Sequence, residues 1–148
     1  MEKAISFFLT TTVFALLVSC GENKNDFITG EYMSDHGGTA WICKYNSDKL
    51  GIVIEDRNYN ASVASLEILY EGNDTFAVVT PPKGRKVRPV HESIIGKHQV
   101  NYDKQKGVLL LWGNKDIFFL VKEHDISEIK EDEDYIAVKA LMTTLLNE

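Results

Sequence analysis

From residue 27 onward the chain is built of short apolar runs separated by polar turns. The runs predict eight strands, "FITGEYM", "TAWICKY", "GIVIED", "VASLEILY", "TFAVVT", "GKHQVNY", "GVLLLW" and "DIFFLVKE". Alternation is clearest in "ASLEILY". There Ala64, Leu66, Ile68 and Tyr70 share one face and Ser65 and Glu67 the other, as in a half-buried strand. In "TAWICKY" the residues Trp41, Cys43 and Tyr45 lie opposite Ile42 and Lys44. In "GKHQVNY" the residues His98, Val100 and Tyr102 lie opposite Gln99 and Asn101. The turns "YEGNDT" and "LWGNKD" place Gly-Asn between apolar runs, and "YDKQKG" ends on Gly107, a position suited to positive φ.

Two strands break the alternation. "GVLLLW" sets Val108, Leu110 and Trp112 against Leu109 and Leu111, and "DIFFLV" sets Ile117, Phe119 and Val121 against Phe118 and Leu120. Large apolar groups on both faces predict a cover on the outer side of this hairpin. The C-terminal stretch "EDEDYIAVKALMTTLLNE" offers one. Its leading carboxylates, Glu131 to Asp134, suit the positive end of a helix. Tyr135, Val138, Leu141, Met142, Leu145 and Leu146 then recur at helical spacing. The expectation is a helix over about 133–147 packed on the outer face of the last hairpin, over Leu109, Leu111, Phe118 and Leu120.

The fold class that follows is mainly β: an antiparallel meander of about eight strands closing into a small barrel or strongly curved sheet, with one C-terminal helix. On "ITGEY" near the start and "YDKQKGVLLLW" followed by "DIFFLV" near the end, residues 27–124 resemble the lipocalin-like small lipoproteins of anaerobic gut bacteria. That resemblance implies a barrel and no particular activity. The Gly-x-Trp signature of lipocalins themselves is absent, with Tyr32 of "GEY" at the tryptophan position. "PPKGRKVRP" interrupts the meander, because Pro81, Pro82 and Pro89 do not fit a central strand.

Ahead of the strands, Met1-Glu2-Lys3 precedes "AISFFLTTTVFALLV", an apolar segment of about 15 residues, short of the roughly 20 that span a bilayer comfortably. The junction "LVSCG", with Leu17, Val18, Ser19 and Cys20, resembles the lipobox of bacterial lipoproteins. In that family the cysteine receives a diacylglycerol, the leader is removed before it, and the new amine is commonly acylated. The resemblance implies a signal peptide over 1–19, a lipidated Cys20 with a polar tether over 20–26, and one β-rich domain over 27–148. Two or more acyl chains give stable membrane attachment. Gly21 rather than aspartate follows the cysteine, which by the family's sorting pattern implies the outer membrane if the envelope is Gram-negative.

Composition narrows the partners. The net charge is -6, and it is unchanged without the leader, because Glu2 and Lys3 cancel. A mildly acidic domain argues against nucleic acid as partner. Basic residues gather only at Lys83, Arg85, Lys86 and Arg88, read as a solvated loop or a docking patch for an acidic group. Of the two cysteines, Cys20 is assigned to lipid, which leaves Cys43 as a small buried hydrophobe. No cysteine or histidine spacing indicates a metal site, and no cofactor is expected.

Candidate chemistry is sparse. His36, His91, His98 and His124 are scattered, and "SDHGG" offers Asp35 beside His36 in what reads equally well as a polar turn. No nucleophile elbow or phosphate-binding loop is present. The sequence therefore points to a non-catalytic, lipid-anchored envelope protein with a binding or structural role. One alternative is a carrier whose cavity for a small apolar molecule is lined by Trp41, Leu66, Ile68, Tyr70 and Trp112. Another is a protein inhibitor of an envelope-directed hydrolase such as lysozyme.

Overall fold

The computed structural model describes residues 26–35, 37–56, 61–71, 74–80, 94–112 and 117–147. Eight antiparallel strands follow one another around a closed barrel. They are β1 (Gly30–Ser34), β2 (Gly38–Asn46), β3 (Lys49–Asp56), β4 (Ala61–Glu71), β5 (Asp74–Thr80), β6 (His98–Asp103), β7 (Val108–Trp112) and β8 (Ile117–Asp125). Closure comes from β1 pairing with β8, in which Met33 lies opposite Val121 and Ser34 opposite Leu120. A register shift between Glu31 and Tyr32 marks a bulge at this seam, where a local increase in twist helps the sheet curl shut. Gly107 ends the β6–β7 turn at φ 62°, as its position in "YDKQKG" predicts.

Period-two alternation sorts the side chains. Tyr32, Ile42, Ile52, Ile54, Leu66, Val100, Leu109, Leu111, Phe118 and Leu120 point inward and form the barrel core. Residues 27–29, predicted as the start of the first strand, instead belong to a 3-10 turn (Asp26–Ile28) and its exit. The turn folds across one end of the barrel and delivers Ile28 into the core.

Two helices follow β8: a single turn α1 (Ile126–Ile129) and α2 (Glu133–Leu146). Asp132 caps α2, its carboxylate accepting from the backbone N–H of Asp134 at 2.8 Å and of Tyr135 at 3.1 Å. At the start of α1, Glu128 Oε2 accepts from the Asp125 backbone N–H at 3.1 Å.

The site of α2 corrects the sequence reading. The helix packs on the outer face of β2, β3 and β4, where Tyr135, Val138 and Met142 meet Trp41, Cys43, Tyr45, Val53 and Val63. Leu109, Leu111, Phe118 and Leu120, the residues it was expected to cover, lie inside the barrel. The reason is steric. Cys43, Gly51 and Ser65 stand side by side across the outer face of the three strands, so a row of small residues makes a groove. A Cβ on Gly51 would overlap Met142 Sδ and come within 2.8 Å of Leu146 Cδ1. No such row exists outside β7 and β8, whose outward positions carry Leu110, Trp112, Ile117 and Phe119.

Candidate functional site

Among the described residues, the polar and exposed apolar groups from which a function could be built gather at the two ends of the barrel, on its uncovered wall and on the solvent side of α2. The first end is plugged. Tyr32 donates its hydroxyl to the Ile28 carbonyl at 2.6 Å, Lys122 Nζ donates to the Phe27 carbonyl at 2.9 Å, and the Phe27 and Tyr102 rings lie 5.4 Å apart. Lys44 pairs with Asp26 at 2.6 Å, and Lys122 also pairs with Asp125. Burial holds the Tyr32 hydroxyl well above the ordinary tyrosine range, so it serves as a neutral donor. These groups are committed to holding the 3-10 turn, which fixes where the preceding chain meets the barrel.

At the other end Ser34, Ser62 and His98 are buried. His98 Nε2 is the notable group, because it is shielded from solvent and has no hydrogen-bond partner among the described residues. Asp35, which the sequence places beside His36 in the polar turn after the first strand, latches the barrel seam. Its carboxylate accepts from the Phe119 backbone N–H at 3.1 Å, and its own N–H donates to the Phe119 carbonyl at 3.0 Å.

The uncovered wall lies outside β1, β8 and β7. Met33 is 54 % exposed, Ile117 50 %, Trp112 46 %, Phe119 40 % and Val121 39 %. They are cross-strand neighbours, with Met33 opposite Val121, Leu110 opposite Phe119, and Trp112 opposite Ile117. The result is one continuous apolar face. A shallow depression of about 540 Å³ lies on the solvent side of α2 between Lys130, Ile136, Lys139 and Thr143. The Thr143 and Thr144 hydroxyls there donate to the carbonyls of Lys139 and Ala140 within the helix.

The proposed cavity lining does not assemble. Leu66 and Ile68 do face the interior. Trp41 lies on the outside, under α2, and Trp112 stands on the uncovered wall. Alternation does not say which of two apolar faces is inner, and both tryptophans lie on the face opposite to the one expected. The side chain of Tyr70 lies outside the described residues, as do Cys20, His36, His91 and the basic positions Lys83, Arg85, Lys86 and Arg88. Cys43 is fully buried beneath α2, and burial pushes its thiol up to about 12. The sequence reading missed Met33 and Phe119 as surface residues and Lys122 as an inner anchor. The doubly apolar hairpin carried the signal for Phe119, since one of its two faces had to remain outside.

Among the described residues no cluster of three or more histidine, cysteine or carboxylate side chains could hold a metal ion, and no helix is long and apolar enough to cross a membrane. No family model, no curated protein and no solved structure matches the chain.

Proposed function

We propose that the chain is a bacterial envelope lipoprotein, tethered by acyl chains on Cys20, whose barrel has a non-catalytic binding or structural role. The observation that carries this reading is the junction "LVSC" at the end of a short apolar leader. The geometry of the plugged end is consistent with it. Asp26, six residues beyond Cys20, is fastened to the barrel by Lys44, and Phe27 by Lys122. A pull on the tether is therefore taken up by the barrel wall rather than by a frayed terminus. The carrier alternative is weakened by the outward placement of Trp41 and Trp112 and by the leucine, isoleucine and phenylalanine side chains that fill the core.

The test is the intact mass of the membrane-extracted protein beside a Cys20→Ser variant. The expected result is a chain beginning at Cys20 with added acyl mass, absent from the variant. An unmodified cysteine in the membrane fraction would refute the tether.

A further inference from the structure

The uncovered wall has a geometric relation to the tether. Lys122 of β8 holds the Phe27 carbonyl from inside, and the outward residues of the same strand are Ile117, Phe119 and Val121. The described chain thus begins at one end of the strand that forms the middle of the apolar face. Cys20 lies six residues before Asp26, a reach of at most about 20 Å of extended chain. The face runs from Val121 to Ile117, four residues or about 13 Å along β8. An acylated Cys20 therefore keeps the bilayer within reach of the whole face.

We propose that the outer face of β1, β7 and β8 is the surface on which the barrel lies against its own membrane, with Met33, Leu110, Trp112, Ile117, Phe119 and Val121 entering the boundary between headgroups and acyl chains. This rests on the lipoprotein reading above. Three observations select a lipid surface as the occupant. The face is apolar and includes a tryptophan, the residue type that favours the bilayer interface. It is small: six side chains, against the roughly 20–30 residues a side of a stable protein interface, too few to hold a second copy unaided. It also needs little affinity of its own, because the acyl chains supply the attachment and the short tether raises the effective concentration of the bilayer at the wall. The opposite wall, on β2, β3 and β4, carries α2, whereas the described residues of the β1, β8 and β7 wall stand exposed.

The test uses the acylated protein, purified from membranes and reconstituted in phosphatidylethanolamine–phosphatidylglycerol vesicles containing phosphatidylcholine brominated near the headgroup end of its acyl chains. The chain has two tryptophans, and Trp41 is buried under α2. The difference between the native protein and Trp112→Phe therefore reports Trp112. Its emission is expected to be quenched at least about two-fold by the brominated lipid and to lose most of its quenching by aqueous acrylamide. Phe119→Glu, at an exposed position, is expected to keep the acyl mass and the fold while abolishing the lipid quenching. Acyl mass with Trp112 still open to acrylamide and untouched by bromine would overturn the docking while leaving the anchor intact. Protection from both quenchers that grows with protein concentration would assign the face to a second copy and overturn it equally. A protein without acyl mass would overturn the anchor and the docking together.

Discussion

Cys43 provides a direct measure of whether α2 is held where the structure puts it. The thiol is fully buried beneath the helix, and Met142, which packs in the same cluster, is also fully buried. With Cys20 replaced by serine, Cys43 is the only thiol in the chain. A buried thiol with its pKa pushed up to about 12 has almost no thiolate at neutral pH, so alkylation must wait for the helix to lift. Truncating a buried methionine to alanine costs about 2–5 kcal/mol. Where about 3 kcal/mol of that falls on helix docking, the population with α2 released rises about 100-fold, since each 1.4 kcal/mol is a factor of ten. The expected outcome is slow iodoacetamide labelling of the parent protein, followed by mass spectrometry, and labelling about 100-fold faster in Met142→Ala. An interior substitution, Ile52→Val, should leave the labelling rate nearly unchanged if α2 lifts without the barrel opening. Labelling of the parent at the rate of the urea-unfolded chain would mean that the helix does not cover Cys43. An unchanged rate in Met142→Ala would mean that Met142 does not hold it there.

The inner and outer assignments of the last hairpin are tested by neighbours: Phe118→Ala should lower stability by about 3–5 kcal/mol in urea unfolding, whereas Phe119→Ala, at a residue 40 % exposed, should change it far less. Equal losses would contradict the register of β8. Gly51→Val puts side-chain atoms where Met142 and Leu146 lie; the expected result is a lower Tm with faster Cys43 labelling, and a Tm equal to the parent's would show that the helix can shift without loss. Glu55 has its pKa raised by burial first and by Asp134 second. A carboxyl with a raised folded pKa binds more protons folded than unfolded, so its contribution to stability falls as pH rises from its ordinary value through the raised one. Glu55→Gln should therefore have a higher Tm than the parent at pH 7, with the difference shrinking below about pH 4 where the parent's glutamate is protonated in both states; a difference independent of pH would assign the effect to something other than ionisation.

What the sequence determined was local. Eight apolar runs bounded by polar turns marked the strands, most clearly where polarity alternates, because a half-buried strand needs a period of two. The turn at Gly107 followed from its need for positive φ, and α2 from the acidic residues ahead of a helical apolar stripe. In β4, where Ser65 and Glu67 alternate with Leu66 and Ile68, the inner face was legible because one face was polar.

Tertiary structure decided which face is inner wherever both are apolar. Leu109 and Leu110, or Phe118 and Phe119, are equivalent to a pattern argument; only pairing with β6 and β1 around a closed barrel turns one of each pair inward. Closure itself joins Met33 to Val121, residues far apart in the chain whose register no local signal encodes. The seat of α2 depends on Cys43, Gly51 and Ser65 falling into one row across three strands, a groove made by registry rather than by any single segment. The uncovered wall follows from the same cause: among the described residues the one helix long enough to cover a wall fits where the small residues align, and the bulky outer side of β7 and β8 stays open.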